Sequence, residues 1–249
     1  MDLELAGKVA LVTGSSRGIG RGIAQALFDE GCQVIINGRD EDSLRQSARR
    51  IGEQWVAGDV CNSDQACKVV DAAQRFHGRL DIVVANVGSG VSVPPGTEDC
   101  AEWSRMLNLN LQSSVQTVSA SRLALAASGG AVLCISSICG ISALGAPIAY
   151  SAAKAALNSY VRGMSTVLAR EGIRINGLAP GNVCFTGSIW ERKLKDNADA
   201  VQQMLNTQVS LGRLGSVREI ADVAAFLCSP KASFMTGTVV VVDGGQIRI

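Results

Sequence analysis

Short apolar runs rich in β-branched residues alternate along the chain with longer stretches of helical periodicity. The runs cover residues 9–12, 34–36, 55–57, 82–85, 131–135, 173–175 and 239–242. They predict seven strands with helices between them. Hydrophobicity inside each run is continuous rather than alternating, so both faces of each strand are covered, as in a parallel sheet between helical layers. The expected class is α/β, with a doubly wound, seven-stranded parallel sheet.

No Pro/Ser-rich linker, low-complexity tract or internal repeat divides the chain, so residues 1–249 are expected to form a single domain. Two segments look less regular, 88–97 and 181–198, and loops after strands line the ligand crevice in such sheets. They are candidate substrate walls. Ser216-Val217-Arg218-Glu219 reads as a capping box opening a late helix. The stretch 123–153 carries no charged side chain and is long enough to cross a bilayer. Gly129-Gly130, Ser136-Ser137, Gly140, Gly145 and Pro147 would break such a helix repeatedly, so a buried strand followed by a loop is expected. The acids in Met1-Asp2-Leu3-Glu4-Leu5 disfavour a secretory signal.

Composition narrows the partners. At 47% hydrophobic the chain can bury one sizeable core, and 23 Lys+Arg against 22 Asp+Glu leave no basic surface for a phosphate polymer. Nucleic acid is not expected. The eight cysteines form no Cys-x-x-Cys pair and the one histidine, His77, precedes Gly78 at a predicted helix end, where it should be exposed. That offers no zinc ligand set, and a reduced, cytoplasmic protein without metal is expected.

The first strand leads into Thr13-Gly14-Ser15-Ser16-Arg17-Gly18-Ile19-Gly20 and then an amphipathic stretch over 21–30. Gly14 can take a sharp turn, Gly18 lets the backbone approach a pyrophosphate, and Gly20 permits close helix packing. Ser16, Arg17 and Ile19 complete this phosphate-binding set. The spacing is not Gly-x-Gly-x-x-Gly, and alone it also suits a plain strand-to-helix turn. The second strand ends in Asn37-Gly38-Arg39-Asp40, with Gly38 where an acid would hold the ribose hydroxyl of NAD. Arg39 and Arg17 could converge on a ribose 2′-phosphate, so NADP(H) is expected over NAD(H).

Tyr150-Ser151-Ala152-Ala153-Lys154 opens a helical stretch over 150–170, with phenol and ammonium on one face. Ser137 follows the fifth strand. A phenol with an ordinary pKa of ~10 is a poor acid–base group at neutral pH, and an adjacent cation favours the phenolate; Lys154 is the obvious cation. Taken singly, the pair also suits an ordinary surface helix, and the glycine turn ahead of it tips the reading to catalysis.

These residues resemble the short-chain dehydrogenase/reductase family, with its Thr-Gly-x-x-x-Gly-x-Gly turn and Tyr-x-x-x-Lys pair. The resemblance runs from Lys8 to Gly245 and includes Asp59-Val60, Asn110 in Leu107-Asn108-Leu109-Asn110-Leu111, Pro180-Gly181, Thr236-Gly237 and Val242-Asp243-Gly244-Gly245. It implies a Rossmann-like fold and hydride transfer between a nicotinamide and a carbonyl or alcohol. Tyr150 would exchange the proton with the carbonyl oxygen, Ser137 would hydrogen-bond that oxygen, and Lys154 would lower the tyrosine pKa and hold the nicotinamide ribose. Asn110 would place a relay water behind Lys154. Asp59 and Val60 would face the adenine, Asn86 and Gly88 the adenosine side, and Pro180, Gly181 and Val183 the nicotinamide end. Asn108 and Ser136 are rivals for the roles of Asn110 and Ser137.

The chain departs from the family at Ala85-Asn86-Val87-Gly88, where Asn-Asn-Ala-Gly is usual, and at Phe185, where a Thr often touches the nicotinamide. Members similar to 3-oxoacyl-carrier-protein reductases share this length and pattern. The mostly small or apolar walls suit a small-molecule ketone or secondary alcohol, and no membrane or nucleic-acid partner. The resemblance also implies a homotetramer built through helices over 101–127 and 157–168 and the last strand. The alternative is a non-catalytic dinucleotide-sensing protein of the same fold.

Overall fold

The computed structural model describes residues 1–52 and 54–248. The first half runs β1 (Val9–Val12), α1 (Gly18–Asp29), β2 (Gln33–Gly38), α2 (Glu41–Ala48), β3 (Trp55–Ala57), α3 (Ser63–His77), β4 (Ile82–Ala85) and α4 (Cys100–Leu107). A π turn (Asn108–Gln112) joins α4 to α5 (Ser113–Ser128). Then come β5 (Ala131–Ile135), a 3-10 turn (Ile138–Gly140), α6 (Ile148–Ala169), β6 (Arg174–Pro180), β7 (Val183–Cys184), α7 (Ile189–Asp196) and α8 (Ala198–Gln208). β8 (Gly215–Ser216), α9 (Val217–Cys228), a second 3-10 turn (Pro230–Ala232) and β9 (Val239–Val242) close the chain.

Seven strands form one parallel sheet in the order β3-β2-β1-β4-β5-β6-β9. The continuous apolar runs have a simple cause. Successive side chains of a strand point to opposite faces, and both faces are covered. Ala10, Val12, Ile82 and Val84 pack in one layer with Ile23 and Leu27 of α1 and Ile220 and Ala224 of α9. Leu11 and Val83 pack in the other, with Val69 of α3, Leu125 of α5 and Leu157 and Val161 of α6. The order reverses between β1 and β4, and a crevice opens beyond the carboxyl ends of the strands at such a switch point.

The expected seven-stranded α/β architecture is thus observed, with local differences. The sixth strand, expected over 173–175, continues to Pro180, so Pro180 lies in the sheet rather than after it. The helical stretch over 101–127 is two helices joined by the π turn. The irregular segment 181–198 contains β7 and all of α7, and β7 pairs with β8 in a small second sheet. Strands of two residues are too short to carry a hydrophobic period. His77 ends α3 against Gly78 in the left-handed conformation, but it is half-buried, its Nε2 2.7 Å from Gln54 Oε1. The charge-free stretch folds as the end of α5, β5 and the loop into α6, and among the described residues no helix is long and apolar enough to cross a membrane.

Candidate active site

Most helices begin on a capping side chain. Asp40, Asn62, Asp99, Ser188 and Asn197 each accept from a backbone N–H one turn on, and Ser216 with Glu219 forms the full capping box. α1 differs. Its N-cap, Arg17, makes no capping bond and its first turn holds no acid, so its N–H groups and positive dipole face the crevice unneutralised.

The glycines of the turn are fixed by what surrounds them. A Cβ on Gly20 would stand 2.4 Å from Asn86 Nδ2 and 2.5 Å from the Gly14 carbonyl oxygen. Gly14 has φ of +60°, and a Cβ there would lie 3.0 Å from Val87 Cγ2. Asn86 is the staple: its Nδ2 donates to the carbonyls of Thr13 and Gly14, 3.0 Å each, tying the end of β4 to the turn. Val87 packs into the core beside Gly14, which is how the chain absorbs its departure at that position.

Phe185 crosses over the turn from the other side. A Cβ on Gly18 would lie 2.7 Å from Phe185 Cε2, so the ring stands directly above the glycine meant for close phosphate approach.

α6 carries a line of polar residues spaced four apart, Tyr150, Lys154 and Asn158. Its first N–H groups are capped from a distance, by Glu98 Oε1 accepting from Ile148 at 2.6 Å. Lys154 Nζ donates to the Ile135 carbonyl at the end of β5, 2.8 Å away. Asn158 takes up Ser136, whose Oγ lies 2.5 Å from Asn158 Oδ1, and donates to the Gly140 carbonyl at 3.2 Å. The Ser136 hydroxyl is thus engaged by Asn158, while the Ser137 hydroxyl faces Tyr150. Gly140 is needed for the contact, since a Cβ there would stand 2.6 Å from the Lys154 carbonyl carbon. Asn158, Gly140 and Glu98 were missed from sequence, though the four-residue spacing behind Lys154 was visible.

The π turn places Asn110. It is fully buried, whereas its rival Asn108 is exposed. Asn110 Oδ1 accepts from the Ser89 N–H at 2.9 Å, and Nδ2 donates to the carbonyls of Ser89 and Met106. A Cβ on Gly88 would lie 2.8 Å from Asn110 Oδ1 and 3.1 Å from Lys154 Nζ, so both groups close on one point that only glycine leaves open.

Burial dominates the electrostatics. It pushes the Tyr150 phenol up to about 12, against the opposing hydrogen bond of Ser137, and it pushes the Lys154 ammonium down to about 8. The expectation that Lys154 lowers the phenol is therefore not met in this geometry: the ammonium is engaged by a strand carbonyl, and desolvation outweighs it.

A cleft of about 720 Å³ joins these parts, within the range that holds a cofactor or small ligand. Gly14, Arg17, Gly18, Ile19, Gly20, Asn86, Gly88, Ser137, Tyr150, Lys154, Pro180, Gly181 and Val183 all line it. Ser16, Arg39, Asp59, Val60 and Asn110 do not. Val60 is buried in the core layer with Val69, so only its backbone remains for an adenine. Arg39 Nη1 lies 3.8 Å from Asp59 Oδ2, while Arg17 Nη1 lies 3.4 Å from where a Cβ on Gly187 would stand. The two guanidinium groups thus have different neighbours rather than a common one. An uncapped helix N-terminus above a turn too tight for any Cβ fits a pyrophosphate. Among the described residues no cluster of three metal-ligating side chains occurs, and all eight cysteines are unpaired.

Comparison with known proteins places this geometry. A family model described as enoyl-(acyl carrier protein) reductase matches residues 14–246. A tropinone reductase homolog from Arabidopsis thaliana is 34% identical over 249 residues, covering 97% of this chain and 93% of the relative. The crystal structure of L-sorbose reductase from Gluconobacter frateurii, complexed with NADPH and L-sorbose, superposes with a TM-score of 0.93 at 30% identity and full coverage of both chains. A 7α-hydroxysteroid dehydrogenase complexed with NADH and 7-oxo glycochenodeoxycholic acid superposes with a TM-score of 0.89 at 28% identity, covering 100% of this chain and 97% of that one.

Proposed function

Since the chain belongs to the short-chain dehydrogenase/reductase family and is an oxidoreductase acting on CH–OH groups, we propose that residues 1–249 form one NADP(H)-dependent catalytic domain interconverting a ketone and a secondary alcohol. The observation that carries this reading is the convergence of Ser137, Tyr150 and Lys154 with the uncapped glycine turn in one cleft.

In the reductive direction Tyr150 Oη donates its proton to the substrate carbonyl oxygen, and Ser137 Oγ donates a hydrogen bond to the same oxygen. A nicotinamide dinucleotide would supply the hydride when bound. Gly14, Ser16, Gly18, Ile19 and Gly20 would hold its pyrophosphate, Asp59, Val60, Asn86 and Gly88 its adenosine side, and Pro180, Gly181 and Val183 its nicotinamide end. With burial pushing the phenol up to about 12, Tyr150 holds its proton at neutral pH until the alkoxide forming on the substrate takes it. Lys154 offsets the charge left on the phenolate, and Asn110, closing on the same point above Gly88, holds the relay water behind it.

The preference for NADP(H) rests on Gly38 at the end of β2, in place of an acid, and on Arg39, which is well exposed and only loosely paired with Asp59. Arg39 is free to swing onto a 2′-phosphate, a group its planar guanidinium fits. Among the structural neighbours, the sorbose reductase structure contains NADPH and the hydroxysteroid dehydrogenase NADH. Following NADPH and NADH absorbance over a panel of cyclic ketones, 3-oxoacyl thioesters and sugars tests the whole reading. NADPH is expected to give at least tenfold higher kcat/KM than NADH, and Arg39→Ala to abolish most of that difference. Absence of turnover in both directions overturns the reading. A homotetramer in a cytoplasmic setting completes it, supported by exposed apolar side chains such as Leu123 and Phe234, and a monomeric mass by light scattering would overturn that part.

A further inference from the structure

The charges lining the cleft are of one sign. Arg17, Lys154 and Lys193 line it, and no Asp or Glu does, in a chain whose acids and bases are nearly equal in number. The nearby carboxylates are engaged elsewhere. Glu191 pairs with Lys195 and accepts from the Gly187 N–H; Glu102 accepts from Ser92 and Arg105; Glu98 caps α6. Arg17 belongs to the phosphate turn and Lys154 to the proton-transfer site. Lys193 has no such task, and among the described residues no carboxylate stands within 4 Å of its ammonium.

Its position relative to the reacting centre follows from α7. The Ile189 side chain and the Tyr150 ring each come within 3.7 Å of one point above Gly90, so the start of α7 and the phenol face the same small space. Lys193 is four residues on, on the same helix face and about 6 Å further along the axis. The Lys193 ammonium lies 4.6 Å from the centroid of the Trp190 ring, a cation–π arrangement that keeps it over the indole at the cleft wall. Between phenol and ammonium the surface of α7 is Ile189 and Trp190. The substrate side of the cleft therefore carries apolar Ile189, Trp190 and Met204 with a few neutral polar groups, Ser188, Gln208 and Gln246, and both the proton donor and a cation without a carboxylate partner lie on its lining.

Resting on the reading of the cleft as a carbonyl-reducing site, we propose that the substrate is a compact apolar ketone or secondary alcohol bearing a carboxylate about one helical turn from the reacting carbon, and that Lys193 receives that carboxylate. Lys193 sets specificity and takes no part in proton or hydride transfer.

The test uses three matched ketones with NADPH: 4-oxocyclohexanecarboxylate, its methyl ester and its primary amide. The acid is expected to show a KM about two- to fivefold below those of the ester and amide, a range suited to an ion pair with an exposed lysine at the cleft mouth. Lys193→Met should collapse that KM ratio to near one with kcat for the acid within twofold, and Lys193→Arg should restore it. Binding of the non-reacting cyclohexanecarboxylate, read from tryptophan fluorescence, should weaken in Lys193→Met to the same degree. Reduction of all three ketones with equal KM values, or a KM ratio that survives Lys193→Met, overturns the inference and leaves the oxidoreductase reading standing. Lys193-dependent binding of cyclohexanecarboxylate without reduction of any ketone supports the carboxylate site and overturns the reduction. Neither binding nor reduction overturns both.

Discussion

The two halves of the cleft are built by opposite means. On the cofactor side, Gly14, Gly18, Gly20 and Gly88 each stand where an added carbon would come within 3.0 Å of a neighbouring atom, and the partners are a valine methyl, a phenyl ring, a carbonyl and two side-chain amides. On the substrate side, α7 buries none of its residues, and its Trp190 and Leu194 pack only against a small satellite cluster with Val201, Leu205 and Val209. The first half is a mould with no slack. The second is an amphipathic helix resting on the rim. Chemistry common to many substrates sits where packing permits one backbone path, and selection among substrates sits where side chains can change without disturbing the sheet.

That contrast can be broken experimentally, starting with the largest effect. Tyr150→Phe should lower kcat by roughly 10²–10⁴-fold, the usual worth of a general acid, while dinucleotide affinity by fluorescence titration stays within a few-fold of wild type. Equal turnover would move the proton donor to another group. Gly20→Ala should destabilise the fold by about 2–3 kcal/mol in a denaturant titration, because the new methyl meets backbone and a stapled amide. A neutral result would mean that the mould has slack after all.

Lys154→Met separates stability from activity. Burial lowers the ammonium from 10.5 to about 8, so between those values the unfolded chain binds more protons than the folded one, and wild-type stability rises with pH across that window. The variant lacks the penalty of the buried charge. It should be inactive yet gain stability relative to wild type below pH 8, with the gain shrinking toward pH 10.5. Thermal melts at pH 7 and pH 10 read the sign, and a larger gain at the higher pH would contradict it.

The smallest effect falls on the boundary between the halves. Phe185 comes from the substrate-side loop but rests on Gly18 of the turn. Phe185→Thr uncovers the turn and should tighten dinucleotide binding about two- to fivefold, under 1 kcal/mol, in a direct titration. Weaker binding would show that the ring serves the cofactor as a platform.

Legibility followed the same divide. The glycine turn, the Tyr-x-x-x-Lys pair and the buried strands could be read because each imposes a spacing: a turn, a helical period, a continuous apolar run. Arg39 could be assigned to a cofactor but not positioned, since an exposed guanidinium is fixed by whichever acid is near, here Asp59. Val60 looked like a base contact and is core, because a residue just after a short strand gives no sign of which way it turns. Glu98 reaches fifty residues along the chain to cap α6, and no local pattern announces it. The sequence pattern placed α7 in a loop because its eight residues bury nothing, and its apolar Ile189, Trp190 and Leu194 are too few to stand out as a helical period. The pKa of Tyr150 was expected to fall because its neighbour in sequence is a cation, whereas the fold engages that cation with Ile135 and desolvates the phenol.

The π turn over Asn108–Gln112 gives Asn110 an unusual dependence. A π turn is an α-helix carrying one residue more than its hydrogen bonding needs. Removing a single residue, Leu109 for instance, would let the helix close as ordinary α with α4 and α5 still in phase, and would re-aim the side chains of the turn itself. An asparagine would still be written in the sequence, but it would no longer lie where the Ser89 N–H and the Met106 carbonyl meet it. This corner of the protein is encoded by the length of a helix as much as by the identity of a residue, so a lineage could gain or lose it through one codon inserted or deleted, with every chemical group of the site left untouched.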